Sequence, residues 1–427
     1  MNFRKHESAL LREAYWETAH ESGLRVFVFP KKMTATYAVL ATAYGSLDVT
    51  FRTADRPDLV TVPDGVAHYL EHKLFDNPDG TDTFARFSAL GADANAYTDY
   101  TKTAYLFHAS EHVPEALETL MRFVFSPYFT EATVEKERGI IAEEIRMYRD
   151  NPSDRCLQNL LGALYHEHPV RRSICGSERS IAKITPDLLY ECYNTFYHPA
   201  NMILCVSGDV TAETVAEVVD RVLPSAPPSR EIVRGRIAEP ETVRQAEVEE
   251  RMPVAKPLFD LAVKDTVIPT DAKDRLRRDA AMTILSEVLF SRSSPFFSRL
   301  FEEGLLTASY SQGYSGTDSF AFYSICGESD DPRAVRDRFL CYLEEVRRDG
   351  IADADFLRAK RSLIADQIRA YDSTEEICSN LLAFALEGLD LFSYPVLLSS
   401  VTKEECMRLL GEVFRTERVC LSIVTGE

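Results

Sequence analysis

The chain has 427 residues, 45% of them hydrophobic and 27% charged, a balance that supports a folded protein of two or more domains. Its 48 Lys and Arg stand against 67 Asp and Glu, a formal net charge of -19 that repels phosphate backbones and excludes nucleic acid as an expected partner. No apolar stretch reaches the roughly 20 residues a membrane span requires, so no membrane span is expected.

The start, Met1-Asn2-Phe3-Arg4-Lys5-His6-Glu7, is charged and has no signal-peptide core behind it. Pro63-Asp64-Gly65 then predicts a helix beginning near Val66, with Asp64 as the expected N-cap. On that helix His68 and His72 stand at i and i+4, one turn apart on one face. The spacing lets two imidazole nitrogens reach one ion at about 2.0–2.1 Å each. Glu71, displaced by one residue from His72, is placed to take a proton from a metal-held water without being a ligand itself. Tyr105-Leu106-Phe107 reads as a strand.

A catalytic zinc needs a third protein ligand and an open fourth position. The helix predicted over Thr133–Tyr148 carries Glu137 and Glu144 about two turns apart on one face, whereas Glu143 points roughly 100° away from Glu144. Glu144 is the expected ligand and Glu137 a neighbouring electrostatic group. Met202 to Gly208 reads as a strand. Residues 224–243, with Pro224, Pro227, Pro228 and Pro240, read as a linker between domains at 1–223 and 244–427. The nine scattered cysteines include no C-x-x-C pair and read as reduced, mostly buried thiols of a cytoplasmic protein.

The two halves repeat each other. Glu137 to Tyr148 aligns without a gap on Lys360 to Tyr371, and each stretch precedes a second helical one. Met202 to Gly208 closes the first half as Val419 to Gly426 closes the second. More weakly, His68 to Phe75 overlays Thr283 to Phe290. The duplication is chemically lopsided. His68, Glu71 and His72 fall on Thr283, Ser286 and Glu287, and Glu137 and Glu144 fall on Lys360 and Gln367. All nine histidines precede residue 199, so a histidine-held metal belongs to the first half.

By itself the pentad His68-Tyr69-Leu70-Glu71-His72 also suits an ordinary helix face; its surroundings carry more. Gly65-x-Ala67-His68-x-Leu70-Glu71-His72-x-x-Phe75, the Glu137 to Glu144 helix, Asn95-Ala96-Tyr97-Thr98 and Asn201-Met202 to Gly208-Asp209 are all present. Together they resemble the pitrilysin/insulinase family of zinc peptidases, the inverzincins, which includes the processing peptidases. The resemblance spans the whole chain and is closest to short bacterial two-domain members.

It implies an α+β fold of two homologous domains, each a mainly antiparallel sheet packed with long helices. It implies one zinc per chain held by His68, His72 and Glu144, with Glu71 as general base and Glu137 as a further acidic residue of the catalytic site. Peptide substrate would add as a strand to a sheet edge supplied by Asn95–Thr103, with Asn95, Ala96 and Tyr97 among its contacts. The implied activity is cleavage of short or unfolded peptides in an enclosed chamber, by a homodimer or by a heterodimer with a motif-less relative. The alternative is a non-catalytic or assembly subunit of a heterodimeric peptidase or peptide-maturation complex. One departure bears on it. Active relatives carry a substrate-holding Arg and Tyr in the second half, where this chain has Phe301 and Thr307. Arg299 and Tyr310 are the expected substitutes.

Overall fold

The computed structural model describes residues 1–427 except 54, 55, 224–228, 230, 236 and 427. Two compact units emerge, each assembled from three segments. The first takes Met1–Ile145, Ser173–Arg236 and Ile368–Phe392, and the second Arg146–Arg172, Ile237–Gln367 and Ser393–Glu427.

The first unit holds β1 (Arg4–Ser8), β2 (Glu13–Ala19), β3 (Arg25–Pro30), β4 (Thr36–Thr42), β5 (Thr50–Thr53), β6 (Val60–Thr61), β7 (Ala92–Thr98), β8 (Thr103–Ala109), β9 (Met202–Gly208) and β10 (Ile232–Arg234). Seven of them form one sheet in the order β1-β2-β3-β9-β4-β8-β7, with only the β3–β9 pair parallel. The second unit holds β11 (Glu247–Arg251), β12 (Leu258–Asp265), β13 (Ser311–Gly316), β14 (Ala321–Glu328) and β15 (Val419–Thr425), ordered β11-β15-β12-β14-β13. There β11–β15 is the parallel pair and the rest are antiparallel. Strand for strand this repeats β3-β9-β4-β8-β7, so the duplication read from the sequence extends to sheet order and strand direction.

β4 and β9 are buried at every position, which requires cover on both faces of the sheet. Alternation sorts their side chains. Ala38, Leu40, Leu204 and Val206 face one hydrophobic cluster, while Tyr37, Val39, Ile203 and Cys205 face another. The second cluster is completed by Ile377, Cys378, Leu381 and Leu382 of the helix Thr374–Leu386, which the chain's second half contributes. The reverse also holds. Helix Pro152–Leu164, at the matching place in the first half, packs on β12 and β15, with the Cys156 thiol donating to the Ser422 carbonyl at 3.6 Å. Each half thus lends the helix after its long helix to the other half's sheet.

Described residues of the expected linker make specific contacts. Residues 224–228, 230 and 236 lie outside the described residues, but β10 pairs antiparallel with β5, Ile232 opposite Thr53 and Arg234 opposite Phe51. Farther along, the Glu239 carboxylate accepts the backbone N–H groups of His166, Glu167 and His168, each at 2.8 Å, and the Lys264 ammonium at 2.6 Å. Burial works to raise its pKa, yet Lys264 and the three amides hold it at about 2, below its ordinary 4.5. A carboxylate with a depressed folded-state pKa stabilises the fold above the unfolded value and loses that contribution as pH falls through the folded one. Stability should therefore drop between pH 4.5 and about 2. Glu239→Gln should cost on the order of 2 kcal/mol at pH 7 and flatten that drop, both read by urea denaturation across pH.

Candidate metal centre

The helix Val66–Lys73 starts differently from the expectation. Gly65, not Asp64, occupies its N-cap, at φ 94° and with no side-chain cap. Glycine is required twice over. The left-handed backbone disfavours other residues, and a Cβ there would lie 2.6 Å from the Cys175 carbonyl oxygen. The helix is nearly all buried, including His68 and Glu71 at 6% and 8% exposure. Its Tyr69 hydroxyl donates to the Val134 carbonyl on the long helix Glu131–Asp150. That bond and the packing of Tyr69, Leu70, Val134 and Ile141 hold the histidine helix against the one bearing Glu137 and Glu144.

His68 Nε2 and His72 Nε2 lie 3.5 and 3.4 Å from the same oxygen, Glu144 Oε2. The three ligand-type atoms sit within 4.8 Å of one another, the one such group among the described residues. These separations are long for N–H···O hydrogen bonds. They suit metal ligands: two atoms about 2.1 Å from one tetrahedral ion stand roughly 3.4 Å apart. Glu144 Oε2 is buried without a hydrogen-bond partner, as an oxygen reserved for a cation would be.

The electrostatics ask for positive charge. Burial works to lower the His72 pKa, but the hydrogen bond to Glu137 and the nearby carboxylates of Glu144 and Glu71 lift it from 6.5 to about 10. The neighbouring His68 and His72 imidazoles hold the Glu144 carboxyl far below the usual range against its burial. Two imidazoles, an orphaned carboxylate oxygen and a surplus of negative charge fit a divalent ion with nitrogen and oxygen ligands.

Glu137 Oε1 lies 2.9 Å from His72 Nδ1, the ring nitrogen away from Glu144. A carboxylate there fixes ring orientation and tautomer. Glu71 Oε2 accepts from the Thr98 hydroxyl at 2.6 Å, and the Cys175 thiol lies 3.8 Å from His68 Nε2. Neither neighbour was assigned a role from sequence. Thr98 ends the Asn95-Ala96-Tyr97-Thr98 run, whereas Cys175, 107 residues from His68, carries no local signal.

Asn95, Ala96 and Tyr97 lie on β7, the outermost strand, which pairs with β8 on one side only. Asn95 Oδ1 accepts the Ala96 N–H at 2.8 Å, and the Lys102 ammonium sits 5.8 Å from the Tyr97 ring centre. Arg299 and Tyr310 belong to the second unit. Arg299 pairs with Glu345 at 2.8 Å, and Tyr310 is buried with its hydroxyl donating to the Phe290 carbonyl at 2.9 Å. Phe301 is 50% exposed. The repeat's counterparts of Glu71 and Glu137 serve the backbone, Ser286 donating to the Thr283 carbonyl at 3.0 Å and Lys360 to the Val401 carbonyl at 2.8 Å.

The family model described as insulinase, peptidase family M16, matches residues 61–178, and that of the M16 inactive domain matches residues 183–363. A Bacillus subtilis (strain 168) protein named "Uncharacterized zinc protease YmfH" is 38% identical over 413 residues, covering 96% of each chain. The chain belongs to peptidase family M16. The insulinase resemblance read from the motif residues is thereby borne out. The M16 fold is equally clear. A crystal structure from Alicyclobacillus acidocaldarius, described as an M16-like peptidase, superposes with a TM-score of 0.93 at 33% identity, covering 100% of this chain and 99% of that one. A protease from Helicobacter pylori shares the fold with a TM-score of 0.83 at 20% identity, covering 97% of this chain and all of that one. The M16 fold of two homologous α+β domains was the architecture expected from sequence. No described helix is long and apolar enough to cross a membrane.

Proposed function

We propose that this M16 protein is a zinc-dependent endopeptidase acting on short or unfolded peptides. The observation carrying this reading is the convergence of His68, His72 and Glu144 on one point with Glu71 on the adjoining helix turn. His68, His72 and Glu144 would hold one zinc per chain, and Glu137 would orient His72 through Nδ1. Zinc, when bound, supplies Lewis acidity that lowers the pKa of a water to about 7 and polarises a carbonyl.

The chain's own residues do the rest. Glu71 takes the proton from the attacking water and passes it to the leaving amine. The free edge of β7, through the Asn95 to Tyr97 backbone, binds an extended peptide as an added antiparallel strand. That mode reads backbone rather than sequence, which suits unfolded peptides and enclosure from folded ones. We assign the protein to the cytoplasm, as a dimer of this chain or with a motif-less relative.

A second reading, a non-catalytic or assembly subunit, draws on the second half, where the Tyr310 hydroxyl is engaged by Phe290 and the arginine position holds Phe301. Metal analysis of the purified chain separates the two. The endopeptidase reading expects one zinc per chain and loss of peptide cleavage when a chelator removes it. A chain with no stoichiometric zinc favours the assembly role.

A further inference from the structure

Behind Glu71 runs a line of hydroxyls, half-buried at Thr98 and buried beyond it, that the proposed chemistry does not use. Thr98 Oγ1 donates to Glu71 Oε2 at 2.6 Å, the length of a charge-assisted O–H···O bond. Thr103 Oγ1 lies 3.2 Å behind Thr98 Oγ1 and donates to the Tyr44 carbonyl at 2.9 Å. Tyr197 adjoins Thr103, and the Tyr105 hydroxyl lies 2.9 Å from that of Tyr197. Thr103 and Tyr105 are fully buried and Tyr197 is 2% exposed.

Each hydroxyl has a single proton to give. With that of Thr103 directed at Tyr44, Thr98 has two acceptors in reach, the Thr103 oxygen and the Glu71 carboxylate. The shorter contact to the charged group wins. β7 and β8 impose this arrangement, because Thr98 and Thr103 are paired across the register at the end of the hairpin.

We propose that Thr98, seated on this buried hydroxyl run, is a positioning residue for Glu71. It occupies Oε2, fixes the carboxylate's rotation and leaves Oε1 as the oxygen that receives the proton. The terminal torsion of a glutamate is otherwise broad, and small displacements of a catalytic group are expensive in rate. The inference rests on the endopeptidase reading, in which Glu71 is the base.

The test compares wild type, Thr98→Val, Thr98→Ser, Tyr197→Phe and Glu71→Gln as purified zinc-loaded proteins on one peptide. Thr98→Val should lower kcat about tenfold, the lower end of what a hydrogen bond to a charged group is worth, with KM and zinc content unchanged. Thr98→Ser should restore most of the rate, and Tyr197→Phe should give a smaller loss, about threefold. Crystal structures supply a readout independent of turnover: one Glu71 carboxylate orientation in wild type, and a rotated or split one in Thr98→Val. Unchanged kcat and an unmoved Glu71 in Thr98→Val, beside cleavage that Glu71→Gln abolishes, would overturn the positioning role alone. Cleavage undiminished in Glu71→Gln would overturn the endopeptidase reading and this inference with it.

Discussion

Glu71→Gln should lower kcat for peptide cleavage by about 10²- to 10⁴-fold while the protein stays folded and keeps one zinc per chain. The amide preserves the shape of a side chain that is 8% exposed, so packing of the histidine helix is undisturbed. It can still accept the Thr98 hydrogen bond, which keeps the loss specific to proton transfer. KM should change little, because strand addition along β7 does not use the Glu71 carboxylate. The measurement is steady-state cleavage of a fluorogenic peptide beside metal content. A variant as fast as wild type would remove Glu71 from the base role.

The second large effect is on metal affinity. Glu144→Gln keeps an oxygen near both Nε2 atoms, 3.5 and 3.4 Å from the present Oε2, but loses the charge. Its zinc dissociation constant should rise by more than about a hundredfold, beyond the 10–100-fold expected for an outer carboxylate. Glu137→Gln, which meets His72 at Nδ1 and not at the nitrogen facing Glu144, should stay within that 10–100-fold range. Competition with a fluorescent chelator measures both. Thermal unfolding gives a second view: zinc at about 100 times its dissociation constant stabilises a folded site by about 2.7 kcal/mol, and Glu144→Gln should lose most of that shift. Equal affinity in Glu144→Gln and wild type would mean that the third ligand lies elsewhere.

Much of the site was legible in the chain because its parts are helical and short-range. The i, i+4 spacing of His68 and His72 and the two-turn spacing of Glu137 and Glu144 follow from 3.6 residues per turn, whatever else the protein does. The helix expected over Thr133–Tyr148 is observed as Glu131–Asp150, and the strand at Met202–Gly208 has those bounds. Both patterns persist over many residues and survive any tertiary context. The start of the histidine helix was misread because a local cap preference was weighed without the Cys175 carbonyl, whose approach leaves room only for Gly65.

What lay beyond the chain's local pattern was everything set by contacts distant in sequence. Helices 152–164 and 374–386 carried no sign that each would cover the other half's sheet. An apolar helix face states that it needs a partner, not which one. The residues at Glu71 and His68 divide the same way. Helical periodicity placed two histidines and two glutamates on facing surfaces. Only the packing of Tyr69 against Val134 brought Glu144 to both Nε2 atoms and Glu137 to Nδ1. The hairpin register of β7 and β8 then set Thr98 on Glu71, a contact across 27 residues that no spacing rule encodes.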